Sequence, residues 1–116
     1  MSESKGRNRC RRSELNSVEN PPGIQRTTLA YNKQTMLCHF VMNEGAEIPL
    51  HSHVAVQNGY VISGRVQFRD KDGDAFIAEA GSGYAFESNE QHGALVLERA
   101  EVIECFAPMR PEYADN

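Results

Sequence analysis

The chain has 116 residues, with 12 Lys and Arg against 16 Asp and Glu and a formal net charge of −4. That length suits one domain with a modest core, and the acidic balance argues against nucleic acid as a partner. No apolar run is long enough to span a bilayer, so no membrane partner is expected.

The three cysteines, Cys10, Cys38 and Cys105, are scattered and form no CxxC pair. They read as free thiols in a reducing compartment. Met1-Ser2-Glu3-Ser4-Lys5 opens on polar residues rather than an apolar leader, so a cytoplasmic location is expected. Lys5, Arg7, Arg9, Arg11 and Arg12 then crowd the start of the chain, and Pro21-Pro22-Gly23 closes the segment. Residues 1–23 are expected to be a poorly ordered basic arm, and residues 24–116 the domain.

From Ile24 onward the signals are strand signals. Residues 24–31 mix β-branched and polar side chains, and residues 34–42 alternate. Met36, Cys38, Phe40 and Met42 take one face, and Leu37, His39 and Val41 the other. Asn43-Glu44-Gly45 predicts a turn. Residues 57–63 and 65–70 read as strands broken at Gly64. Asp72-Gly73 predicts a hairpin to residues 75–78. Gly81-Ser82-Gly83 is a further turn before residues 84–87. Residues 93–97 and 101–106 end the set, separated by Glu98-Arg99-Ala100. No amphipathic helix and no internal repeat stands out. Short strands at regular spacing predict an all-β sandwich or barrel.

The acidic turn Asp70-Lys71-Asp72-Gly73-Asp74 does not fit a calcium loop. Counted from Asp70, the glycine and glutamate positions of an EF-hand hold Ala75 and Gly81. The chemistry lies elsewhere. His51 and His53 are one residue apart in an extended segment, so their imidazoles point to one side. Gln57 falls on the same face if that segment stays extended. His92 follows a later strand, in Asn89-Glu90-Gln91-His92-Gly93. Three imidazoles and an amide oxygen suit a divalent transition metal such as zinc, nickel, iron or manganese. All four donors are neutral, so a bound ion keeps its full charge and favours an anionic substrate or Lewis-acid chemistry. His39, mid-strand, reads as structural.

The pattern Gly45, His51, His53, Gln57, Gly64 resembles the first motif of the cupin superfamily, with Gln in place of the usual Glu. A weaker second motif is present as Gly81, Gly83 and His92, without its usual proline and final Asn. The resemblance implies a double-stranded β-helix, the cupin jelly-roll barrel, with metal inside and often a homodimer. The ending Glu104-Cys105-Phe106-Ala107-Pro108-Met109-Arg110-Pro111-Glu112-Tyr113 is similar to that of small single-domain cupins. That group includes the cupins that linearise unsaturated uronates from pectin and alginate breakdown. It implies an acid/base carboxylate at Glu104, a pocket wall at Phe106 and a substrate-carboxylate clamp at Arg110. Glu104 is one methylene longer than the group's Asp. Val54-Ala55-Val56-Gln57 stands where many of these cupins have Pro-His-Glu-Gln.

The residues themselves leave the direction of Glu104 open. Val102, Glu104 and Phe106 share one face of their strand, and Ile103 and Cys105 share the other. An inward Glu104 needs a partner or a nearby cation; an outward one needs nothing. The expected function is non-redox chemistry on a small anionic, sugar-derived substrate such as an unsaturated uronate. An iron-dependent dioxygenase and a non-enzymatic binding or sensor module are the alternatives.

Overall fold

The computed structural model describes residues 6–114. The strands, in chain order, are β1 (Val18–Glu19), β2 (Ile24–Tyr31), β3 (Met36–Met42), β4 (Glu47–His51) and β5 (Val56–Asp70). They continue with β6 (Ala75–Glu79), β7 (Gly83–Phe86) and β8 (His92–Ala107). Among the described residues the helical structure is confined to two 3-10 turns, Arg12–Glu14 and Pro111–Tyr113. All pairing is antiparallel, in the order β1-β2-β3-β8-β5-β6, with β4 added on β8 and β7 on β5. This is the double-stranded β-helix that the motif implied.

Alternation decides the interior. On β3, Met36, Cys38, Phe40 and Met42 are buried, while Leu37 points outward and is 37% exposed. The turns follow from local chemistry. The Asn32 side-chain oxygen accepts from the amides of Gln34 and Thr35 and closes the β2–β3 hairpin. Asp70 does the same for the amides of Asp72 and Asp74. Its carboxylate therefore serves the hairpin, as expected for a solvated turn.

Two predicted breaks are absent. β5 and β8 each run unbroken, past Gly64 and past Glu98-Arg99-Ala100, and pair from Val56↔Ala107 to Asp70↔His92. The register shifts between Val61 and Val66, so the pair bends there instead of ending. Gly64 makes the bend possible: its φ is 87°, and a Cβ there would lie 2.1 Å from the Arg99 carbonyl oxygen. Because of the bend, the first part of β5 pairs with β7 and the second part with β6.

The segment expected to be a loose arm touches the barrel at two places, around Arg7 and at β1, while residues 8–14 between them are exposed. Arg7 and Tyr31 exchange both backbone hydrogen bonds, at 2.9 and 2.8 Å. The Arg7 guanidinium donates to the carbonyls of Thr28 and Leu29, and β1 pairs with β2 at Val18↔Arg26. The free edge of β2 offers backbone groups that need partners, and the segment supplies them. Residues 1–5, including Lys5, lie outside the described residues.

Candidate metal centre

His51 ends β4 and is the register partner of His92, the first residue of β8. His53 lies just beyond β4, in the loop to β5, where its carbonyl accepts from the Asn89 amide at 2.8 Å. The strand therefore does not continue through His53 to Gln57 as the sequence suggested. The loop turns at Val54-Ala55, and β5 brings Gln57 back beneath His53.

Each imidazole is oriented by the same device. The Nδ1 of His51, His53 and His92 lies at 3.0, 2.8 and 2.8 Å from the carbonyls of Pro49, Ala55 and Glu90. A carbonyl only accepts, so Nδ1 carries the proton and each Nε2 keeps its lone pair. The ligand atoms of the three histidines lie within 4.8 Å of one another. Phe86 stacks on the His92 ring at 4.2 Å and 5°, and holds it in place.

Two observations fit this donor set to a cation. The His92 Nε2 is buried with no hydrogen-bond partner, which is costly for a polar atom unless something binds it. Second, the His53 Nε2 faces the Gln57 Oε1 at 3.0 Å. The Gln57 amide is oriented by its NH2, which donates to the Glu104 carboxylate at 2.8 Å. Two acceptors thus face each other and need a proton or a cation between them. Burial pulls the pKa of His53 down, and the Arg110 and His51 charges add to this. Burial likewise drives His92 down to about 4, with His51 and His53 contributing. Protonation is therefore disfavoured, and a divalent ion is the better match. The triad of His51, His53 and His92 could bind a metal, and the Gln57 amide oxygen lies against its His53 member.

Glu104 faces in. It is 5% exposed, beside Phe106 at 1%. The Gln57 amide and the Tyr84 hydroxyl both donate to its Oε2. Burial lifts its pKa to about 7 against the pull of those two bonds and of Arg110. Tyr84 and Gly59 were not foreseen from the sequence. Gly59 stands between Tyr84 on β7 and Glu104 on β8 in the register. A Cβ at Gly59 would lie 2.4 Å from the Tyr84 ring. The missing side chain is what lets the phenol cross β5 and reach the carboxylate. A glycine inside a strand was the available clue.

Arg110 follows β8. Its guanidinium donates to Glu112 at 3.0 Å and lies 4.1 Å from the centre of the Tyr113 ring. Arg26 covers the same ring at 3.9 Å, and the Thr28 hydroxyl donates to the Tyr113 carbonyl at 2.7 Å. The chain end is thereby strapped across the barrel, and Arg110 lines the same cavity as His51, Gln57, His92, Glu104 and Phe106. His39 stays apart, bonded to Glu101 at 2.6 Å.

The Cupin_2 family, a cupin domain, matches residues 38–104. The chain is a cupin. An RmlC-like cupin from Shewanella frigidimarina has 23% identity to it and a TM-score of 0.87, over 95% of this cupin and 98% of that chain. KdgF from Halomonas sp. is 27% identical with a TM-score of 0.82, over 90% and 97%. The polyketide cyclase RemF from Streptomyces resistomycificus is 18% identical with a TM-score of 0.74, over 89% and 80%, a likeness of fold. No curated protein matches this cupin. No described helix is long and apolar enough to cross a membrane.

Proposed function

We propose that this cupin is a metal-dependent, non-redox enzyme of the lyase or isomerase type acting on a small anionic metabolite. The resemblance of its ending to the uronate-linearising cupins makes an unsaturated uronate the representative substrate and ring opening the reaction. His51, His53, His92 and Gln57 would hold the metal, whose chemistry would be Lewis-acid polarisation of a substrate oxygen. One observation carries the reading: a buried carboxyl group lines the same cavity as His51 and His92 and is linked through the Gln57 amide to His53. Both hydrogen bonds to Glu104 go to Oε2. Its Oε1 is thereby left for a proton passed to or from a substrate in the cavity, and a pKa of about 7 suits that exchange near neutral pH. Arg110 would hold the substrate carboxylate by its guanidinium fork, with Phe106 as the wall beneath.

The test is the ultraviolet absorbance of unsaturated galacturonate mixed with zinc- or nickel-loaded protein. Loss of absorbance that Glu104→Gln abolishes supports the proposal; an unchanged signal with fully loaded protein sinks it. The expected homodimer has support in the outward-facing Tyr60, Ile62 and Ile77, which are 52%, 43% and 45% exposed. Light scattering would measure its mass.

A further inference from the structure

We infer that Glu112 is a positioning residue for Arg110: it holds one edge of the guanidinium so that the other edge is offered to a carboxylate in the cavity. This rests on the proposed role of Arg110 as the substrate-carboxylate clamp and adds the residue that aims it. The backbone brings the two side chains together. Pro111 opens the 3-10 turn that ends at Tyr113, and its ring fixes φ there. The Tyr113 amide donates to the Arg110 carbonyl at 2.9 Å, and the Met109 amide to the Lys33 carbonyl at 3.2 Å. The Thr28 hydroxyl pins the far end of the turn. On this fixed turn the Arg110 Nε and Nη2 converge on the Glu112 Oε2, at 3.3 and 3.0 Å. Both donors belong to one edge of the guanidinium. One of its faces lies 4.1 Å from the centre of the Tyr113 ring. The remaining edge, Nη1 with the second N–H of Nη2, is a fork that takes both oxygens of a carboxylate. Exposure puts the two edges on different sides. The Glu112 side chain is 57% exposed and that of Arg110 14%. Glu112 therefore takes the solvent side, and the open edge is left to the cavity that Arg110 lines.

Two effects of Glu112 on an anionic ligand oppose each other. Its charge repels a second carboxylate, but an exposed charge is screened by water and salt. Its hold removes rotamer freedom from a long side chain before the ligand arrives. The ordering is the larger effect. Calorimetric titration of the full chain with galacturonate in the presence of zinc tests this in a double-mutant cycle. Glu112→Ala is expected to weaken binding about fivefold, and to have no further effect in an Arg110→Gln chain. Glu112→Gln keeps an acceptor oxygen against the same edge and is expected to bind at least as tightly as the parent. Unchanged or tighter binding in Glu112→Ala overturns the inference. So does an equal loss in the Arg110→Gln background, or a Glu112→Gln chain as weak as Glu112→Ala. Each of these leaves the clamp standing if Arg110→Gln by itself weakens binding. If Arg110→Gln changes nothing, or the parent does not bind galacturonate, the clamp reading falls and this inference falls with it.

Discussion

The middles and the ends of β5 and β8 are made from the same two strands, yet they bury opposite chemistry. In the middle, Val61, Val66, Val96, Ala100 and Val102 are all 1% exposed or less and form solid hydrocarbon. At the ends, Gln57, His92 and Glu104 are buried nearly as deeply, at 7%, 3% and 5%. The ends line the cavity; the middle does not. Buried polar groups lower stability unless they are satisfied. The barrel thus keeps its cost at the open end, where chemistry can use it, and takes its stability from the closed middle.

The largest expected effect breaks the middle. Gly64→Ala forces a Cβ onto the Arg99 carbonyl at a positive φ. It is expected to cost about 3 kcal/mol, measured by urea denaturation of the metal-free protein. The comparison requires that an end substitution not do this. His92→Ala removes a buried, partnerless nitrogen, so metal content should fall sharply while the barrel stays folded. Elemental analysis with circular dichroism checks both, and full metal stoichiometry in His92→Ala and His51→Ala alike would refute the site.

The next effect depends on pH. The folded-state pKa of Glu104 is raised to about 7, so the folded protein holds that proton more tightly than the unfolded chain. Its contribution to stability is complete at low pH, below the ordinary carboxylate value, and is lost as pH rises through about 7. His53 and His92 are shifted the other way, His92 to about 4. Their contribution is present above the ordinary histidine value and is lost as pH falls through their lowered values. The metal-free protein should therefore be most stable at mildly acidic pH. Glu104→Gln should remove the decline between the ordinary carboxylate value and about pH 7, and be more stable than the parent by about 2 kcal/mol at pH 8. Denaturation midpoints from pH 4 to 9 test the sign.

The smallest effect falls outside both regions. His39→Gln loses the contact with Glu101. It should cost about 1 kcal/mol and leave metal content untouched. A loss of metal would show that the fourth histidine had been misplaced.

Much of the site was legible because its parts are close in sequence. His51, His53 and Gln57 sit within one short segment, and the Gly45-to-Gly64 spacing surrounds them. His92 was legible from its chain neighbours Gly81 and Gly83 and from the scarcity of histidines. Tyr84 and Gly59 were not, because they reach Glu104 across the register of three strands. Asn20 and Pro21 line the cavity from a segment whose composition read as a loose arm. Composition records charge and hydropathy, but not the unpaired edge of β2 that captures that segment.

By itself, the sequence determined the period of the strands, the positions of most turns, and a donor set suited to a divalent metal. Those properties are local: alternation, turn residues and short spacings act within a few residues of one another. Tertiary structure alone decided which way Glu104 points and that β5 and β8 run through their predicted breaks. Residues 101–106 carry apolar side chains on both faces, so no local rule selects one. Pairing Gln57 with Phe106, Gly59 with Glu104 and Val61 with Val102 turned that face inward. In an antiparallel sheet the partner strand sets the parity, and a shift of one residue would have sent the carboxylate to solvent.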